Sequence, residues 1–339
     1  MKYRFNWNFP IAFSKHDSSK LYTFSNQVHL TTDEGHSWET ISPDLTRNDK
    51  SKLVSSGGPI TQDNTGVEYY ATIFAVDESP LQEGLIWVGS DDGLIHLTKD
   101  GGATWENVTP KKMPDWMMIN SIDASSFDSG TAYIAGTRYK LGDFTPYLYV
   151  TDDYGKNWKL ITDGIKDEHF TRVLRSDKVN KNILYAGTET GMYISYDRGN
   201  SWNEFQKNLP IVPITDLTIK DNSLIVATQG RSIWMIDDLT VFHQLTPSTD
   251  QIKLYKPKDS YRMGGAGGRK SLTAGTNLPN GAIIHYFIPN YDKYFSNNQL
   301  AKIFQRLAFH NVSNLWNYLY NFFRPCRRPP YRIQFVKNN

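Results

Sequence analysis

Short apolar and aromatic runs, four to eight residues long, recur along the first 245 or so positions and are cut by glycine or Asp/Asn turns. This alternation is the signature of β-strands, and no run keeps the 3.6-residue spacing of an amphipathic helix. The stretch after residue 169 shows the unit well: FTRVLRS, ILYAGT, GMYISY and NEFQKN read as four strands, A to D. Three earlier stretches parse the same way, as IAFS, LYTFS, VHLTT, ETIS, then YYATIFAV, LIWVGS, GLIHLT, WENVT, then SIDAS, TAYIAGT, YLYVT, KLIT. A fifth unit, ITDLTIK, SLIVAT, IWMID and VFHQL, keeps the strands. The pattern predicts an all-β chain of four-stranded antiparallel units.

Four of the C-to-D connections share one octad, Ser/Thr-x-Asp-x-Gly-x-x-Trp: TTDEGHSW, TKDGGATW, TDDYGKNW and SYDRGNSW. Their aspartates, Asp33, Asp100, Asp153 and Asp197, are spaced by 67, 53 and 44 residues. Removing a polar insertion at 44–66 and a lengthened loop at 138–146 brings the unit to about 44–46 residues, the size of one β-propeller blade. Within each octad the carboxylate can accept backbone N–H bonds, Gly permits a positive φ, and the closing Trp38, Trp105, Trp158 or Trp202 can bury against neighbouring strands. This chemistry makes a turn rather than a reaction, so the octad residues are structural. The domain reading is five blades over residues 1–247, a glycine-rich linker with an incomplete β segment over 248–293, and an atypical tail over 294–339.

Composition narrows the options. The 339 residues carry a formal charge of +2, but the tail holds 7 Lys and Arg and no acid, leaving 30 basic against 35 acidic residues before it. Its acid-free, aromatic-heavy character and Pro/Arg cluster suggest a shifted reading frame or an artificial join, with a basic amphipathic helix on an anionic membrane as the alternative. The lone Cys326 supplies neither an internal disulfide nor a metal cluster, and the scattered histidines give no zinc spacing. The glycine-rich GGAGGRKS at 264–271 lacks the order and context of a phosphate loop, and RPCRRPPYR has no recognition fold around it. No cofactor, metal or nucleic acid is implied. No stretch of about 18 apolar residues is present, and MKYRFNWNFP lacks the apolar run of a secretory leader.

The octads, together with SPDLTRND, SSGGPITQDNTGVEYYATIFA, GLIWVGSDDGLIHLTKDGGATWENVTP and LYAGTETGMYISYDRGNSW, resemble the Asp-box (bacterial neuraminidase repeat) propellers and in particular bacterial sortilin-like proteins described as glycosyl hydrolases. The resemblance covers residues 3 to 290 and implies a secreted or envelope-associated parent with more blades before Met1. It also implies one of two functions. One is a glycan-directed protein, a glycoside hydrolase of the sialidase or xyloglucanase kind; the other is a sortilin-like platform that binds a peptide or protein without chemistry. Oligomeric state is open.

In an up-and-down meander the C-to-D octads share a face with the A-to-B turns, and the B-to-C and D-to-A connections lie opposite. Both lengthened segments fall on that octad-free face, where long loops tend to carry function. It holds Asp63, Asn64, Glu68, Tyr69, Arg138, Tyr139, His169, Arg172, Glu189 and Arg231. Glycoside hydrolysis needs two carboxyl groups across the bond, for which Glu68 and Glu189, with Asp63 as substitute, are the candidates. Arg138, Arg172 and Arg231, with Tyr139 and His169, are the candidate binding groups, the arginines able to clamp a substrate carboxylate through forked bonds. Asp91 and Asp92, just before Gly93, read as an ordinary hairpin turn.

Overall fold

A computed structural model describes residues 3–55, 57–58, 60–62, 67–245, 253–259, 283–287 and 334–337. The chain divides into two compact units, Met1–Asp238 and Leu239–Asn339. The first unit is a series of antiparallel meanders. Its strands are β1 to β4 (Ile11–Phe13, Leu21–Phe24, Val28–Thr31, Glu39–Thr40), β5 to β8 (Ile73–Glu78, Ile86–Ser90, Ile95–Thr98, Glu106–Asn107), β9 to β12 (Met118–Ala124, Ala132–Arg138, Asp143–Thr151, Lys159–Leu160), β13 to β16 (Thr171–Ser176, Leu184–Thr188, Gly191–Ser195, Asn203–Glu204) and β17 to β19 (Ile214–Lys220, Ser223–Thr228, Ile233–Ile236). Strand order within each sheet follows the chain, which is the propeller-blade pattern read from the repeats.

Sheets pack face to face through the residues that the period-two pattern assigns inward. Tyr22, Phe24 and Val28 of the first sheet meet Ile73, Ile86 and Val88 of the second. Trp87, Ile95 and Leu97 meet Ile119, Ile122 and Ile134 of the third, and Ala135, Leu148 and Val150 meet Leu174, Leu184 and Ala186 of the fourth. The inner strands stand side by side: β5 with β9, β9 with β13, β13 with β17. Strand B carries a glycine where the next inner strand crosses, since a Cβ on Gly89 would stand 2.4 Å from the Ile119 side chain.

Three details depart from the sequence reading. The fifth sheet has three strands, and VFHQL, expected as its fourth, instead holds a 3-10 turn at Phe242–Gln244 within the second unit. The loop expected at 138–146 is largely strand. A one-turn 3-10 connection, Tyr139–Leu141, closes a hairpin whose last pair is Arg138 with Asp143, beyond a bulge after Gly136. The unit boundary after Asp238 falls nine residues before the expected limit at 247.

In the second unit, β20 (Lys253–Leu254) pairs antiparallel with β21 (Ile283–Phe287), which pairs parallel with β22 (Gln334–Lys337). The glycine-rich 264–271 and the Pro/Arg cluster at 324–332 lie outside the described residues.

Candidate functional site

The octads form one repeated turn. In the first, the Thr31 hydroxyl donates to Asp33 Oδ1 (2.7 Å) and accepts the Gly35 N–H (3.0 Å), while Ser37 donates its N–H to Oδ1 (2.9 Å) and its hydroxyl to Oδ2 (2.6 Å). Asp100 with Thr98 and Thr104, Asp153 with Thr151 and Asn157, and Asp197 with Ser195 and Ser201 repeat it. The seventh octad position is therefore a donor in all four copies, a regularity visible in the sequence once the copies are aligned. Hydrogen bonds from Ser37 first, then Thr31, hold Asp33 at about 2, and those from Thr104 and Thr98 do the same for Asp100. Both oxygens of each octad carboxylate accept hydrogen bonds from within the turn, as a structural role requires.

The tryptophans tie each sheet to the one before. Trp105, Trp158 and Trp202 donate their indole N–H to the carbonyls of Ile41, Val108 and Ile161, at 2.9, 2.7 and 2.7 Å. Trp38, in the first sheet, stays 46% exposed.

Backbone bonds bear out the two-face argument. Octad turns bond to A-to-B turns, Gly101 N–H to Gly84 O, Tyr154 to Gly130 and Arg198 to Asn182. B-to-C turns bond to the ends of D-to-A connections, Asp91 N–H to Thr72 O, Glu189 to Phe170 and Gln229 to Pro213.

On the octad-free face lies a cavity of about 610 Å³. Its lining comes from the D-to-A connections (Lys52, Glu68, Tyr69, Tyr70, Trp116), from the B-to-C turns (Asp91, Arg138, Tyr139, Lys140) and from Asn6 and Trp7. Trp116 is its aromatic centre, held at φ 60°. Tyr70 stacks beside it at 6.4 Å, and Arg47 and Lys52 lie over its ring at 5.0 and 5.8 Å. Glu68 is exposed and accepts the Trp7 indole N–H at 2.7 Å.

Asp91 is the chemically distinct group. It is 6% exposed, and its two oxygens accept the Thr72 N–H (2.8 Å) and hydroxyl (2.9 Å). Burial is the largest influence and pushes its carboxyl up to about 7, against the Thr72 hydrogen bonds, with Asp92 adding to the rise and Lys140 opposing it. The hairpin role belongs to Asp92, which accepts the Ser90 hydroxyl (2.6 Å) and the Arg47 N–H (2.8 Å). Asp91 faces the cavity instead, a difference the Asp-Asp-Gly sequence does not reveal.

Of the sequence candidates, Glu68, Arg138 and Tyr139 meet at this cavity; Asp63 and Asn64 lie outside the described residues. Glu189 does not line it. It is bound to Arg172 Nε at 2.6 Å, and Arg172 lies over Phe170 and Tyr139, which stack at 5.0 Å. His169 Nδ1 bonds the Tyr193 hydroxyl at 2.8 Å. The three arginines do not converge. Arg138 is paired with Asp143, Arg172 borders a separate cavity of about 490 Å³ along the inner strands, and Arg231 is in the β18–β19 connection and lines neither. Among the described residues no cluster of metal-ligating side chains occurs, and no helix is long and apolar enough to cross a membrane.

The sortilin (neurotensin receptor 3) family model matches residues 146–261. No protein of curated function matches the chain in sequence. Among solved structures, the GH74 xyloglucanase of Xanthomonas campestris is similar at a TM-score of 0.50 and 17% identity, over 68% of this chain and 36% of its own. An ancestral GH74 enzyme gives 0.49 and 16%, over 67% and 28%. YCF48 bound to D1 peptide gives 0.37 and 20%, over 49% and 51%. The chain thus spans 36% and 28% of the two GH74 enzymes, and at such identities the likeness concerns the fold. The consecutive meander sheets and the likeness in fold to the xyloglucanase make the chain a β-propeller, and its residues 146–261 are similar to the sortilin family.

Proposed function

We propose that the chain is a glycan-directed propeller acting outside the cytoplasm, that the octad-free cavity is its site, and that Asp91 and Glu68 are its carboxyl pair. The observation that carries this reading is the presence, in one cavity, of a buried carboxyl protonated near neutrality and an exposed carboxyl, beside the aromatic faces of Trp116, Tyr70 and Tyr139. Aromatic faces suit the C–H faces of sugar rings. A raised carboxyl suits protonation of a leaving oxygen, and a second carboxyl suits the role of base or nucleophile. Glu189 leaves the pair because Arg172 occupies it.

A panel of fluorogenic glycosides tests the proposal. Turnover should fall by roughly 100-fold or more in Asp91→Asn and in Glu68→Gln. Binding on a glycan array without turnover would reduce the protein to a glycan-binding platform. Binding of peptides alone, lost in Trp116→Ala, would replace the glycan reading with the peptide one.

A further inference from the structure

Resting on that reading, we infer that the saccharide is anionic, a uronate chain whose carboxylates are met by Lys52 and Lys140. Accounting for the cations at the cavity leads there. Arg47 donates to Asp115 (2.8 Å) and to the Asp92 carbonyl (2.8 Å), and Arg138 is bound to Asp143 (2.6 Å). Lys52 and Lys140 line the same cavity and have no carboxylate within ion-pair distance among the described residues. They come from different elements. Lys52 ends the 3-10 turn Lys50–Lys52 and hangs over Trp116, while Lys140 sits at the tip of the β10–β11 hairpin.

A single unpaired surface lysine is unremarkable, because exposed ammonium groups are well solvated. Two of them bracketing one aromatic-lined cavity make its mouth cationic. Of the acidic side chains of the lining, Glu68 keeps its charge in its bond to the Trp7 indole and offsets one lysine, while Asp91 lies buried beneath the mouth with both oxygens held by Thr72 and its carboxyl raised by burial, so the balance at the mouth stays positive. Lysine acts on a carboxylate as a point charge and imposes no fixed fork, which suits the repeated, variably oriented carboxylates of a polymer. A sialate-type clamp of three arginines is a poorer fit, since Arg138, Arg172 and Arg231 do not converge.

The test compares polygalacturonate, alginate and heparosan with their carboxyl-reduced neutral forms, by calorimetry at low and moderate salt on the full chain. At least one polyuronate should bind, its reduced form about 10-fold more weakly, and the doubly substituted Lys52→Met/Lys140→Met protein should lose the same factor and its salt dependence. Lys220→Met, on the fifth sheet, should bind as the parent does. Equal binding of reduced and native polymers, or an unchanged double variant, would overturn the anionic inference and leave the glycan reading standing. Failure of every polymer, charged and neutral, would overturn both.

Discussion

At the scale of single residues, the second sheet holds two titrating groups that oppose one another. Burial raises Asp91 from the ordinary 3.8 to about 7, so the folded state holds its proton longer and stability is lost as pH climbs from about 4 to 7. Asp92 and Asp77, also raised mainly by burial, act in the same direction. His96 is lowered by burial from 6.5 to about 4, with Asp44 opposing, and its ring Nδ1 is buried without a hydrogen-bond partner among the described residues. Its stability contribution is lost as pH falls from 6.5 to 4. In the parent the slope of His96 offsets part of that of the aspartates. Asp91→Asn retains the geometry, its carbonyl accepting the Thr72 N–H and its amide donating to the hydroxyl, while removing one slope. Urea unfolding should then show stability rising between pH 4 and 6.5, relative to the parent, by on the order of 3 kcal/mol. His96→Gln should give the reverse tilt, and profiles parallel to the parent would refute the account.

At the scale of elements, the octad glycine does two jobs that can be separated. All four octad glycines have positive φ, Gly35 at 88° and Gly155 at 80° among them. A Cβ at Gly155 would also stand 2.6 Å from Val108 of the preceding sheet, whereas at Gly35 the nearest atom is its own Trp38 at 3.8 Å. Gly35→Ala should therefore cost about 1 kcal/mol from the backbone alone, and Gly155→Ala roughly 1–3 kcal/mol more from collision, read from thermal unfolding. Equal losses would mean that sheet contact does not select the residue. The same contrast shows what the sequence could disclose. Strands, octads and the two faces follow from local patterning, which is why Thr31 to Trp38 and its copies were legible as turns. The β10–β11 extension was not, because it depends on the Arg138–Asp143 ion pair across a bulge. Nor was the role of Asp91, whose raised carboxyl comes from burial in the folded chain, against the bonds it accepts from Thr72, nineteen residues earlier. Trp116 left one unused signal, a tryptophan in a D-to-A connection where no octad calls for one.

At the scale of the molecule, the octads couple the sheets to pH. Asp33, Asp100, Asp153 and Asp197 sit in four successive sheets, and each carboxyl is held below its ordinary 3.8. For Asp153 the largest cause is the Asn157 N–H; for Asp197 burial is the largest single influence and raises the carboxyl, but the Ser201 and Ser195 bonds together outweigh it. A lowered folded value means that the stabilisation is full above about pH 4 and disappears as pH falls through the folded value, about 2 for Asp33 and Asp100. Protonation removes an acceptor from the turn that seats the adjacent tryptophan, and in sheets two to four that tryptophan holds the carbonyl of the preceding sheet. Acid should thus loosen the seams between sheets together, so loss of tryptophan fluorescence and loss of β circular dichroism should coincide between pH 4 and 2. Asp100→Asn, which keeps one acceptor oxygen and cannot ionise, should be less stable than the parent at pH 5 and should approach it at pH 2. A variant whose deficit is the same at both values would show that the octad carboxylates act by shape alone, and that acid unfolds the propeller by some other route.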